Sequence, residues 1–295
     1  MRRLTGASAA GPADTVLFSV RLPRIAAALL VGAALAASGA AYQSLFRNPL
    51  VSPDILGVSA GAGLGAVLGI FLSLPVAGIQ LLAFGGGITT VTLVWLVAAA
   101  VRGRDAVLVL VLAGIVVGAL AGAMISLLKV LADPYDQLPA ITFWLLGSLA
   151  GTTGADVLGA IPTVLFGLLP LALLRWRIDI LAMGDEEARA LGVEAGRLRR
   201  LVIAAATLAT AAVVAISGQV GWIGLIVPHA ARMLVGPGFA RLLPAAMLLG
   251  AGYLLLVDTL ARSLAAVETP LGILTALIGA PLFLWLLARG RTGWA

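Results

Sequence analysis

The run "LVLVLAGIVVGALAGAMISLL" (108–128) decides the fold. A hydrocarbon core about 30 Å thick takes about 20 consecutive apolar residues in an α-helix, so this uncharged stretch is long enough to span. A porin-type barrel would instead need strands of about ten residues with alternating polarity, and no such alternation is present. Further runs of this kind lie at 25–45, 57–74, 79–101, 106–128, 156–174, 201–216, 242–260 and 271–288, with a shorter one at 222–235. They predict about nine spans and one domain, 1–295: an all-α, polytopic transmembrane helical bundle.

Composition agrees. The 295 residues are 61% hydrophobic and 11% charged, where a soluble domain carries roughly 25% charge. A net charge of +6 and a pI near 10.9 would suggest nucleic acid in a soluble protein. Here the cations sit between spans, where they orient the chain in lipid, so membrane lipid is expected as a partner and nucleic acid is not. All cations but Lys129 are arginine, and cysteine is absent. That excludes disulfides, thiolate catalysis and cysteine metal sites.

"MRRLTG" followed by "IAAALLVGAALAASGAA" has the outline of a secretory signal. The apolar run leads straight into "YQSLFRNPLVSPDILGVSAGAG", an odd start for a mature chain, so it reads as a retained span. Arginine placement orients the bundle. The 175–200 loop carries Arg175, Arg177, Arg189, Arg197, Arg199 and Arg200, which assigns it to the cytoplasm. Span counting puts Arg102, Arg104, Arg289 and Arg291 on the same side. It leaves Arg21, Arg24 and Arg262 outside, as exceptions that need a reason.

Two glycine stripes, Gly61/Gly65/Gly69 and Gly114/Gly118/Gly122, repeat every fourth residue and favour close helix packing inside one bundle. "NPLVSPDILGVSAGA" (48–62) also echoes "TPLGILTALIGAP" (269–281). Internal repeats of this kind in transporters flank the pathway.

The charge distribution has one anomaly. Of 19 basic and 13 acidic side chains, eight lie within Gly184–Arg200: Asp185, Glu186, Glu187, Arg189, Glu194, Arg197, Arg199 and Arg200. "GDEEARALGV" (184–193) reads as a short surface helix, with acids in its first turn opposing the helix dipole. Asp185 and Arg189 form an i, i+4 pair, and Gly192 supplies the stop. A rigid charged helix on the cytoplasmic face suggests docking to an engine. The chain itself has no G-x-x-x-x-G-K-[ST] phosphate loop, so energy must come from a partner or an ion gradient.

At this point the motifs resemble those of the FecCD-type permeases of bacterial type II ABC importers, the vitamin B12, ferric siderophore and haem permeases. The resemblance runs through "RLPR" (21–24), "GAALAASGAAYQSLFRNPLVSPDILGVSAGAG" (32–63), "FWLLGSLAG" (143–151), "LAMGDEEARALGV" (181–193), "GQVGWIGLIVPHAARMLVGPGFARLLP" (218–244) and "DTLAR…ETPLGILTALIGAPLFLWLL" (258–287). It implies an inner-membrane homodimer working with two cytoplasmic ATPases, which hold the ATP and Mg, and a periplasmic or lipoprotein binding protein. It also implies that this chain is not itself an enzyme. "GDEEARALGV" then looks like the coupling helix, with Gly184, Asp185, Glu186, Arg189, Ala190, Leu191 and Gly192 as its ATPase-contacting set. Arg21, Arg24 and Arg262 match docking cations for the binding protein, Asp258 lying i, i+4 from Arg262. By the same analogy Phe143, Trp144 and Ser148 border the central pathway between the two copies. Family members have ten spans, the first ahead of "RLPR"; twenty residues precede it here, so either the start lies upstream or this member lacks that span.

His229 is the only histidine and is expected to be structural, with Pro228 breaking its helix and His229 and Arg232 bonding the freed carbonyls. No metal site and no catalytic triad can be assembled. The expected cargo is a ferric siderophore, with haem and cobalamin as alternatives. A rival reading, an ion-coupled carrier, would want ionisable groups in mid-span, and few exist. A structural anchor would need neither so many spans nor a rigid surface helix.

Overall fold

The computed structural model describes residues 16–101, 106–264 and 267–289. Twelve α-helices follow in order: α1 Leu22–Phe46, α2 Val58–Phe71, α3 Val76–Ala100, α4 Ala106–Leu131, α5 Gln137–Leu146, α6 Gly154–Leu173, α7 Arg175–Met183, α8 Asp185–Ala190, α9 Ala195–Ser217, α10 Ile223–Val235, α11 Phe239–Ser263 and α12 Leu271–Arg289. A π-helical turn, Val16–Arg21, leads into α1, and a 3-10 turn, Pro53–Leu56, precedes α2. No strand occurs among the described residues. Arg102, Arg104 and Arg291 lie outside them.

The expected spans need correction in length. Among the described residues, six helical stretches are long and apolar enough to cross: Val16–Phe46, α3, Val107–Leu131, α6, α9 and α11. The segment read at 57–74 forms a helix of only 14 residues, while the one at 222–235, already read as short, has 13 and α12, read at 271–288, has 19. At 1.5 Å per residue, α2 and α10 cover about 20 Å, less than the hydrocarbon thickness. Hydropathy counts apolar residues but does not see where the backbone breaks.

α1 is the central post. Most of it is buried, and it packs against α6, α9, α10 and α11. Its small residues permit that crowding. A Cβ on Gly32 would lie 2.1 Å from the carbonyl oxygen of Gly250 in α11, and one on Gly39 would lie 2.0 Å from that of Gly224 in α10. The first contact requires glycine on both helices, since a Cβ on Gly250 would lie 2.3 Å from the Gly32 oxygen, and the second requires it at Gly39. Gly39 is about 22 Å down α1 from Arg24 by helical rise, so α10 begins deep in the bundle. Pro228 does not break α10, which runs unbroken through it. It cannot donate to the Gly224 carbonyl, and that oxygen faces Gly39 instead. His229 is buried and its ring meets Phe283 of α12 edge-on at 6.2 Å.

The first glycine stripe works as expected: Gly61, Gly65 and Gly69 seat α2 against Gly86, Leu82 and Ile79 of α3. In the second, only Gly114 has a close neighbour, Ile55, while Gly118 and Gly122 face open space. α6 opens with a capping box, Thr153 with Asp156. Asp156 also accepts from Gln80 near the start of α3 at 2.9 Å. α5 starts at the same end of the bundle, Gln137 Nε2 donating to the Phe71 carbonyl at 2.9 Å. The chain then returns to α6, so α5 is a half-span that dips in and comes back.

Candidate functional site

At one end of the bundle, α7, α8 and the start of α9 form a compact charged unit. The stop of α8 is a Schellman motif. Gly192, at φ 76°, donates to the Arg189 carbonyl at 3.0 Å, and Val193 donates to that of Ala188 at 2.8 Å. Ala188 and Val193 are buried together in the core, so one face of α8 is anchored and the other is presented. Glu186, Arg189, Ala190, Leu191 and Gly192 are all exposed. The remaining two members of the predicted set are less exposed. Gly184 is buried at φ 145°, and Asp185 does not pair with Arg189: its Oδ1 accepts from Arg199 Nη2 at 2.9 Å. A partner fourteen residues on pins α8 to α9, which an i, i+4 pair could not do.

Sequence reasoning missed Asp179. α11 opens at Gly238, which has no side chain to cap it. Asp179 of α7 fills that role, accepting from the backbone N–H groups of Phe239 at 2.5 Å and Ala240 at 3.2 Å. The charged unit is thereby fastened to α11, whose 25 residues run about 37 Å to the opposite end. The available signal was a lone acid in the basic stretch "RWRIDI".

At that opposite end lies a charge clamp. Arg24 is only 7% exposed. Its Nε and Nη2 donate to Asp258 Oδ1 at 2.9 and 2.7 Å, and its Nη1 and Nη2 donate to Glu268 Oε2 and Oε1 at 2.9 and 2.5 Å. Asp258 is fully buried and also meets Arg262 Nε at 3.3 Å. Arg24 is therefore not presented to solvent as a docking cation would be, and its grouping with Arg21 and Arg262 is corrected. It belongs to a buried pair of forks that ties α1 to α11 and to the loop ahead of α12. Asp258 is held by that clamp and not by Arg262 alone. Arg21 is exposed and the Arg262 side chain is 34% exposed.

Between the two ends is a cleft of about 650 Å³ lined by Asp54, Ser59, Leu145, Leu146, Gln219 and Trp222, with Gly272 and Ala276 of α12. Ser59 Oγ donates to Asp54, and Gln219 Nε2 donates to the Ser59 carbonyl at 2.8 Å. The two segments of the internal echo face each other here, 48–62 through Asp54 and Ser59, 269–281 through Gly272 and Ala276. Three irregular stretches cross at the wall. Gly147 at φ 72° and Gly218 at φ 66° permit it, since Cβ atoms there would lie 2.4 Å from the Gln219 oxygen and 2.3 Å from the Trp144 oxygen. Broken backbone of this kind is tolerated where it lines a cavity. The residues expected to border the pathway between two copies do not line this cleft within one chain. Phe143 is 51% exposed and points away, Trp144 packs against α2 and α9, and Ser148 donates its N–H to the Ser217 carbonyl at 2.9 Å. Their neighbours Leu145 and Leu146 line the cleft instead.

Comparison with known proteins is consistent with this geometry. The model of the FecCD transport family matches residues 3–289. The molybdate import system permease protein MolB of Haemophilus influenzae is 46% identical over 268 residues, covering 91% of this chain and 79% of that protein. A probable iron chelatin transport system permease of Helicobacter pylori (strain 26695) is 42% identical over 276 residues, covering 94% and 83%. A solved structure described as an inward-facing conformation of a metal-chelate type ABC transporter superposes with a TM-score of 0.89 at 44% identity, covering 96% of this chain and 91% of that one. With a helical bundle, an internal cleft and a family match along nearly its whole length, this chain belongs to the FecCD transport family and is a membrane permease.

Proposed function

We propose that the chain is the membrane-spanning half of an ATP-driven importer in the bacterial inner membrane. Two copies enclose the pathway, and a separate ATPase docks on α8. The observation that carries this reading is α8 itself: a six-residue helix with its inner face anchored by Ala188 and its outer face unburied, fastened through Asp179 to a helix that reaches the other end. Movement imposed on α8 is thus passed to α11 and to the Arg24 clamp. Arg175, Arg177, Arg189, Arg197, Arg199 and Arg200 sit at the α8 end, which supports a cytoplasmic position for it. Arg21 and Arg262 then face outward as docking cations for the binding protein.

The cargo is an iron chelate. No cation lines the cleft among the described residues, so the permease offers nothing to hold an anion tightly, and selection falls to the binding protein. Haem and cobalamin relatives fit the same frame, and the 46% identical molybdate permease makes molybdate a competing cargo. The test is ATP hydrolysis in nanodiscs holding this chain and its ATPase, with binding protein loaded in turn with ferric chelate, haem, cobalamin or molybdate. Stimulation by the ferric form alone supports the full reading; stimulation by another form replaces the cargo. Uptake that survives loss of the ATPase and collapses with an uncoupler would establish the ion-coupled alternative.

A further inference from the structure

Two cavities outside the cleft meet at one residue. The first, about 590 Å³, is a groove on the outer surface of the bundle between α3, α6 and α9. α9 is buried over most of its surface, yet Arg197, Leu201 and Ala204 are exposed along one stripe that continues to Leu208. From Arg197 to Leu208 this stripe rises about 16 Å, the depth of one leaflet of a core about 30 Å thick. Ile88 and Phe166 flank its deep end; Trp95, Pro170 and Arg200 stand at its rim. Tryptophan at that level is typical of the membrane–water boundary.

The second cavity, about 610 Å³, begins at Leu201, which lines both, and runs beneath the C-terminal turn of α8. Arg177 and Arg197 line it with one acid, Glu194. Arg199 is occupied by Asp185. Arg177, Arg197 and Arg200 form no ion pair among the described residues. An apolar trough of leaflet depth thus opens directly into a basic pocket at the boundary, and the net positive charge there lacks a counter-ion.

We propose that this pair of cavities binds one anionic phospholipid of the adjoining leaflet, with an acyl chain along the α9 stripe and its phosphate among Arg177, Arg197 and Arg200. Neither cavity alone would specify it: the groove selects an acyl chain and the arginines select the charge. The second cavity is also lined by Leu191 and Gly192 of the proposed ATPase contact, so the lipid would sit beside that contact, and the inference stands apart from the cargo reading alone.

The test is native mass spectrometry of the full chain purified in detergent with equal phosphatidylglycerol and phosphatidylethanolamine. The wild type should retain phosphatidylglycerol about tenfold more than phosphatidylethanolamine, given the electrostatic contribution of each arginine near a lipid surface. The triple variant Arg177→Gln, Arg197→Gln, Arg200→Gln changes exposed side chains and should keep its fold while losing the preference. Ala204→Phe, which fills the trough, should lower retention of both lipids. Equal retention by the wild type overturns the proposal. So does a triple variant that keeps its preference for phosphatidylglycerol while losing ATPase co-purification, because the arginines would then belong to the protein partner.

Discussion

The two ends of the bundle use arginine in opposite ways. Around Arg24 the guanidinium is buried and both its edges are occupied by carboxylates. Around α8 the arginines stand in the open, and Arg199 is the one held in an ion pair among the described residues. A buried charge stripped of one partner carries a large uncompensated desolvation cost, whereas an exposed one is screened by water and contributes little to folding. The first cluster is therefore architecture, and the second is surface available to a partner.

The sharpest way to break that distinction is Asp258→Ala. It should destabilise the chain by about 3–5 kcal/mol, read as loss of thermal stability in detergent, while Arg21→Ala at the same end should leave stability within about 0.5 kcal/mol. Similar melting of the two variants would remove the clamp from the account. Next in size is Ala188→Leu on the anchored face of α8, where overpacking costs about 1–3 kcal/mol; the exposed Ala190→Leu should melt as the wild type does. Asp179→Ala should cost about 1 kcal/mol through loss of the α11 cap. Its stronger signature would be ATP hydrolysis no longer matched by transport, because α7 and α11 would be unfastened. The smallest effect on folding belongs to Arg189→Glu, within about 0.5 kcal/mol, yet it should sharply reduce ATPase co-purification. Arg21→Glu combined with Arg262→Glu should likewise spare the fold and slow binding-protein association, most visibly at low salt.

Legibility in the sequence followed the range of the interactions. The limits of α8 were readable because Gly184, the first-turn acids and Gly192 act within a few residues of one another. The destination of Asp185 was not, since Arg189 and Arg199 are equally arginine in one dimension and only the turn after Gly192 brings the second into reach. Arg24 shows the same limit more strongly. Its partners lie 234 and 244 residues away, and nothing local separates it from Arg21, three positions earlier. Asp54, Ser59 and Gln219 were passed over because each is an ordinary polar residue until three backbone breaks bring them to one wall.

By itself the sequence determined the solvent and the class. Long uncharged runs can be satisfied only as helices in lipid, and their order, with the motifs between them, marks the family. Only the tertiary structure decided which spans stop short, which arginine is buried and where the cleft opens. Those outcomes depend on backbone breaks and on pairings between distant helices, and no local pattern of polarity encodes them.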